Sequence, residues 1–298
     1  MCGIVGLFLK DKSLEPRLGE LLTEMLITMT ERGPDSAGLA IYRSGQSDTA
    51  KLTVQSPNAD ADFASLDTDL GKEIGAEVKM ERNYTHALLT LPTAKLDEAR
   101  EALARIRPDA TVMGTGESME IYKEVGLPKD VAENFHISQM SGSHGIGHTR
   151  MATESNVTTN GAHPYSTGTD QCLVHNGSLS NHNMWRRRLA REGIHTVSQN
   201  DTEVGAAYIS WKLQNGASLK EALESSVEDI DGFFNFVVGT KDGFGVVRDH
   251  IATKPAIMAE TDQYVAFASE YRAFADLPGI ENAKIWEPEP ATAYFWSH

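Results

Sequence analysis

Apolar positions along the chain fall into two kinds of period. Between Leu14 and Thr30, the residues Leu18, Leu21, Leu22, Met25, Leu26 and Met29 recur at three and four, which predicts a helix with one apolar face. Pro16 suits its first turn, and Gly33-Pro34 stops it. The chain opens on a buried-strand pattern, Ile4-Val5-Gly6-Leu7-Phe8, and Leu39–Tyr42 reads as another strand.

From about residue 44 to 143 the pattern is looser. Ser56–Asp69 is polar and acidic and reads as irregular surface. Thr85–Leu91 reads as a strand, Leu96–Ile106 as an amphipathic helix, Ala110–Met113 as a short strand and Met119–Val125 as a short helix ended by Gly126. This stretch predicts a compact α/β insert without a chemical motif. Beyond it, Gly145–Thr153 and Leu173–Gly177 read as strands, the second ending in an Asn-Gly corner. Asn181–Arg191 reads as a helix with a basic face, and Asn200 caps a helix carrying Val204, Ala207, Tyr208 and Trp211. Short apolar runs at 233–239, 245–248, 256–258 and 264–268 predict an antiparallel sheet, with Asp242-Gly243 as a hairpin turn and a last strand over 292–296. One domain over residues 2–298, carrying the insert at about 44–143, is the most economical division.

Composition narrows the function. The chain has 298 residues, a net charge of −15 and 40% hydrophobic residues. The charge argues against nucleic acid or an anionic membrane as partner, and no apolar run reaches the roughly 20 residues of a bilayer span. Two cysteines, Cys2 and Cys172, give neither a disulfide framework nor a metal site, so a cytoplasmic setting with no metal and no cofactor is expected. Cys172 lies in a strand-like run and reads as a small core residue.

Cys2 is different. A small residue after the initiator Met permits removal of that Met, which places a thiol and a free α-amine on one residue. The thiolate is the nucleophile, and the amine, with an ordinary pKa of about 7.7–8.0, relays the proton. Hydrolysis of an amide then needs fixed oxyanion donors, for which Asn176 and the Gly177 N–H are suited. A free amino-acid substrate needs a partner for its carboxylate, such as Arg150 with the Thr153 hydroxyl, and for its ammonium, such as Asp201. Singly, each is an ordinary turn, surface or capping residue.

The ordered set is more specific. Met1-Cys2-Gly3-Ile4-Val5-Gly6, Arg32-Gly33-Pro34-Asp35-Ser36-Ala37-Gly38, Gly147-His148-Thr149-Arg150 with Thr153, Ala162-His163-Pro164, His175-Asn176-Gly177 and Asp201-Thr202-Glu203 resemble the class II glutamine amidotransferases. The glutaminase domain of that family is an N-terminal-nucleophile (Ntn) hydrolase. The resemblance implies an α+β fold, a four-layer αββα sandwich with Cys2 at the end of a central strand. It implies that Cys2 attacks the glutamine side-chain amide and that Asn176 and Gly177 form the oxyanion hole. Arg150 and Thr153 would bind the α-carboxylate, Asp201 the α-amino group, and Arg32 would hold the nucleophile end. Ammonia would pass to a synthase subunit similar to those of glutamate-synthase-like or N-methylglutamate synthase assemblies, some of them flavin-dependent. Met151 stands where many members carry an aromatic residue in a loop that closes over glutamine. The competing expectations are a non-catalytic regulatory subunit of the same fold and an Ntn hydrolase acting on another amide.

Overall fold

Gly3–Leu9 is a strand with every residue buried, and the fold is laid out around it. The computed structural model describes residues 2–43, 45, 48–152 and 156–298. The strand pairs antiparallel with Tyr264–Ala268 on one side and His144–Arg150 on the other. It lies at the middle of a seven-stranded sheet in the order Lys284–Trp286, Ile257–Glu260, Tyr264–Ala268, Gly3–Leu9, His144–Arg150, Ser36–Tyr42, Met119–Val125. A second sheet of five strands runs Ala293–Ser297, Gly243–Arg248, Gly232–Thr240, Gln171–Leu179, Tyr165–Gly168.

Alternation along the first strand assigns the layers. Ile4 and Phe8 point between the sheets, where they meet Cys172, Val174, Val237, Phe244 and Phe267. Val5, Leu7 and Leu9 point outward onto the helix Leu18–Thr28. The outer face of the second sheet is covered by residues of the helices His182–Arg191, Asp201–Gln214 and Leu219–Asp229. The result is the expected four-layer αββα sandwich. Cys172 is fully buried in its core beside the Tyr42 hydroxyl at 3.2 Å, and burial pushes its thiol up to about 12.

Several elements depart from the sequence pattern. The predicted helix 14–30 is divided into a 3-10 turn Lys12–Arg17, the helix Leu18–Thr28 and a second 3-10 turn Thr30–Arg32. Pro16 lies inside the first turn, where Asp11 accepts the Ser13 N–H, and the α-helix starts only beyond it. The acidic stretch 56–69 is not irregular throughout. It holds a helical turn, Ala59–Asp62, and the start of the helix Leu66–Ile74, which buries Leu66, Leu70 and Ile74 at a spacing of four. Met119–Val125 is a strand rather than a helix, registered against Ser36–Tyr42. Neighbours on both its faces bury Met119 to Lys123, so the polar residues there do not mark a solvent side. The helix Leu219–Asp229, which the apolar pattern did not reveal, starts with a capping box between Ser218 and Glu221.

Residues 49–116 build a sheet of their own, Lys79–Asn83, His86–Pro92, Thr49–Gln55, Thr111–Gly116. Helices Leu66–Ile74 and Leu96–Ile106 pack on it. Two buried carboxylates fasten this unit to the sandwich. Glu120 accepts two bonds from Arg43 at 2.6 and 2.7 Å, one from Lys51 at 2.7 Å and one from the Tyr122 hydroxyl at 3.0 Å. Asp170 accepts the N–H groups of Glu117, Ser118 and Met119 at 2.7, 2.9 and 3.0 Å.

Asp170 also has φ +51°, a region Asn tolerates better than Ala. Asp170→Ala should therefore lower unfolding free energy by about 3 kcal/mol or more, since it strands several buried donors and adds backbone strain. Asp170→Asn should cost less. Urea midpoints at unchanged slope check both, and an Ala variant as stable as wild type would contradict the role given to this carboxylate.

Candidate active site

Cys2 is fixed through its carbonyl. That oxygen accepts from Arg32 Nε at 3.0 Å and from Asn176 Nδ2 at 3.1 Å. Arg32 arrives on the short turn after the first helix, which ends at Gly33. A Cβ at Gly33 would come within 2.4 Å of the Thr149 carbonyl carbon, so only glycine lets the turn lie this close to the neighbouring strand. Arg32 Nη1 is anchored in turn by Glu270 Oε1 at 2.9 Å. Burial alone would raise the Glu270 carboxyl, but the hydrogen bond to Arg32 and the nearby Arg272 hold it below its ordinary value. Just before it, Ser269 exchanges bonds with the Ile4 backbone at 2.9 and 3.0 Å. The thiol is half-buried, with Sγ 3.9 Å from the Met151 carbonyl oxygen.

Register places Arg150 beside the nucleophile. Gly3 pairs with Thr149, so Cys2 and Arg150 lie at the same end of adjacent antiparallel strands. Arg150 is 8% exposed; its Nη1 donates to the Asn156 carbonyl at 3.4 Å and lies against Gly161. Asp35 brackets this segment, donating its N–H to the Arg150 carbonyl at 3.1 Å and accepting the Ala152 N–H at 2.8 Å. Thr153, expected to assist Arg150, lies outside the described residues.

Asn176 and Gly177 come from the neighbouring sheet. Gly177 has φ +151°, and a Cβ there would overlap the Phe233 carbonyl oxygen at 1.9 Å. Opposite it, Phe234 donates its N–H to Asp249 Oδ2 at 2.9 Å and accepts the Asp249 N–H at 3.0 Å. Both backbone groups of Phe234 thus point away from Gly177, and in an antiparallel ladder the Gly177 amide then faces away from that strand.

Asp201 opens the helix Asp201–Gln214, where Asn200 caps by accepting the Thr202 N–H. Its Oδ2 accepts the Leu179 N–H at 2.9 Å, which joins the helix start to the strand carrying Asn176 and Gly177. Burial would raise this carboxyl, yet the hydrogen bond and charge of His175, with the Leu179 N–H, hold it at about 2. It is therefore ionised at neutral pH, with its side chain 23% exposed. His175 Nδ1 also meets the Thr202 hydroxyl at 3.0 Å. Two further histidines stand behind the site, His148 on the His175 carbonyl at 3.1 Å and His163 ring-to-ring with His148 at 4.0 Å. Burial drives His148 down to about 3 and His163 well below its ordinary value, so both stay neutral and neither cycles a proton near pH 7.

The structure thus brings Cys2, Arg32 and Asn176 into direct contact, sets Arg150 beside them by register and ties Asp201 to the Asn176 strand. Sequence reasoning missed Glu270, which carries no local signal and arrives only through the pairing of Tyr264–Ala268 with the first strand. It also left His175 and Thr202 inside motifs without a role. Among the described residues no three His, Cys, Asp or Glu side chains are grouped to hold a metal ion, and no helix is long and apolar enough to cross a membrane. The basic face at 186–191 is only partly solvated, because Arg186 Nη1 donates to the Ser198 carbonyl at 2.7 Å and Arg188 lies over Trp185 at 4.6 Å.

Comparison with known proteins agrees with this geometry. Residues 148–276 match the glutamine amidotransferase domain model. Glutamine amidotransferase-like protein GlxB of Rhizobium meliloti is 64% identical over 298 residues, covering 100% of this chain and 99% of that protein. A protein of Methanothermobacter thermautotrophicus with a provisional glutamine amidotransferase description is 34% identical over 309 residues, covering 99% of each. The glutamine phosphoribosylpyrophosphate amidotransferase of B. subtilis shares the fold at a TM-score of 0.61 and 18% identity, with 99% of this chain matched to 47% of that one. With a relative so similar along its full length, the chain belongs to the class II glutamine amidotransferases, glutaminase-type enzymes with an N-terminal cysteine.

Proposed function

We propose that this chain hydrolyses the side-chain amide of glutamine through a Cys2 thioester and supplies the ammonia to an acceptor on a partner subunit. The observation that carries the reading is the convergence of Arg32 and Asn176 on the Cys2 carbonyl, which fixes the nucleophile while leaving its thiol partly open. Once Met1 is removed, the α-amine accepts the thiol proton and Sγ attacks the amide carbon. The oxyanion is met by the Gly177 N–H and by the second N–H of the Asn176 amide, the first being held on Cys2. Collapse breaks the C–N bond, and the protonated amine gives its proton to the departing nitrogen. Water then hydrolyses the thioester and glutamate leaves.

Arg150 and Thr153 take the α-carboxylate, and ionised Asp201 takes the α-ammonium. Recognition of both charges favours a free amino acid over a larger acyl-amide. The acceptor is proposed to be a synthase of the glutamate-synthase-like or N-methylglutamate-synthase kind, flavin-dependent members included, working with this chain in the cytoplasm.

With Met1 removal verified by mass, Cys2→Ala should abolish glutamate release from glutamine, by about a thousandfold or more. If Met-free wild type neither releases glutamate nor becomes labelled at Cys2 by a diazoketone analogue of glutamine, the regulatory-subunit reading replaces this one. Arg150→Lys and Asp201→Asn should each raise the glutamine KM about tenfold or more while lowering kcat less. Preference for a larger acyl-amide over glutamine would instead point to another amidohydrolase.

The Asp201 contribution should not vary with pH in the working range. Its carboxyl is held at about 2, below the ordinary value, so the charge is present above that point and lost only as pH falls through it. The KM ratio of Asp201→Asn to wild type should therefore be the same at about pH 5 and about pH 8. A ratio that collapses at the lower pH would mean that Asp201 titrates in that interval.

A further inference from the structure

The strand Met119–Val125 returns the chain from the insert sheet to the edge of the seven-stranded sheet, and its end grips the segment 156–164. Lys123 is 3% exposed. Its ammonium donates to the Ala162 carbonyl at 2.8 Å and the Pro164 carbonyl at 3.1 Å, and lies 4.5 Å from the Tyr165 ring centre. Among the described residues it has no carboxylate within ion-pair distance. Burial draws it down to about 7 against the attraction of Glu203. A lysine buried this way, on carbonyls and a ring, is costly unless its contacts offset the burial.

The next residue holds the same segment. Glu124 Oε1 accepts from the Thr159 hydroxyl, and Oε2 accepts from the Thr85 hydroxyl at 2.7 Å. Thr85 belongs to the turn between Lys79–Asn83 and His86–Pro92 of the insert sheet. One carboxylate thus joins the insert to the segment that supplies the Asn156 carbonyl to Arg150 and packs Gly161 against its guanidinium. The segment also carries His163, whose ring meets His148, and His148 bonds the carbonyl just before Asn176.

We propose that Lys123 and Glu124 are positioning residues for glutamine: they hold 156–164 behind Arg150 and make its placement depend on the insert sheet through Thr85. The proposal rests on the glutaminase reading above. Neither residue touches the reacting atoms, so their loss acts on substrate binding rather than on the nucleophile. An insert so connected gives anything that displaces the Thr85 turn a path to the α-carboxylate site.

The test uses Met-free full-length protein with Thr85→Val, Thr85→Ser, Lys123→Met and Glu124→Gln. Thr85 is only half-buried, so its variants leave the core intact, whereas Lys123→Met is checked for a retained melting transition. Thr85→Val and Lys123→Met should raise the glutamine KM about tenfold with kcat within about twofold, while Thr85→Ser, which keeps the hydroxyl, stays at the wild-type KM. Glu124→Gln retains an acceptor and should fall between. Alkylation of Cys2 by iodoacetamide should keep its wild-type rate in all four. Unchanged KM in folded Thr85→Val and Lys123→Met, a loss confined to kcat, or slowed alkylation would overturn the proposal and leave the glutaminase reading standing. A wild type that neither releases glutamate nor is labelled by the diazoketone analogue overturns both.

Discussion

The carbonyl of Cys2 is the point on which the site depends. In the proposed reaction the nucleophile also presents a free amine and so cannot be held by its own N–H, and the first residue of a chain is ordinarily the least ordered. Two donors on the one remaining backbone group solve this. Arg32 approaches it from the turn after the first helix and Asn176 from the second sheet, and each is itself fixed, Arg32 by Glu270 and Asn176 by its place in the nine-residue strand Gln171–Leu179. The close passage of Gly33 over Thr149 follows from the same requirement, since any larger residue would push Arg32 off the carbonyl.

Around that point the charges are sorted by what surrounds them. Asp201 keeps its negative charge because His175 and a backbone N–H outweigh its burial. His148 and His163 stay uncharged because burial, with Arg150 nearby, disfavours their protonation. The site therefore offers a fixed anion and an arginine, backed by the neutral imidazoles of His148 and His163. In the proposed reaction the proton near pH 7 is carried by the Cys2 amine, whose ordinary value lies close to that pH.

Much of this was legible because the chemistry-bearing residues sit in short runs with strong local grammar. The turn after the first helix, the Asn-Gly corner and the Asn200 cap each combine a backbone requirement with a polar side chain. Glu270 was not legible, since its role depends on the pairing of two strands from opposite ends of the chain, Val5 with Ala268 through Leu9 with Tyr264. Met119–Val125 was misread for a related reason. Lys123 and Glu124 look like a solvent-facing helical surface, but in the fold the first is buried on carbonyls and the second bridges two loops. Polar residues buried for a positional purpose defeat a pattern that assumes polar means outside. The helix Leu219–Asp229 was missed although its capping box lies in plain view, because the strands after it dominate the apolar pattern.

The departure at Met151 looks different once the backbone is considered. The resemblance places an aromatic side chain there in many family members, which makes the methionine look like a loss at the rim. What approaches the thiol, however, is the Met151 carbonyl, at 3.9 Å. That carbonyl is placed by its neighbours, for Asp35 accepts the Ala152 N–H on one side and donates to the Arg150 carbonyl on the other. A side-chain exchange at 151 leaves both bonds untouched. The thioether also keeps apolar area at the rim while adapting its shape more readily than a ring. The contact that matters to the nucleophile is thus set by Asp35, a residue within the Arg32-Gly33-Pro34-Asp35 motif, and the same turn that fixes the Cys2 carbonyl also fixes the backbone facing its sulfur.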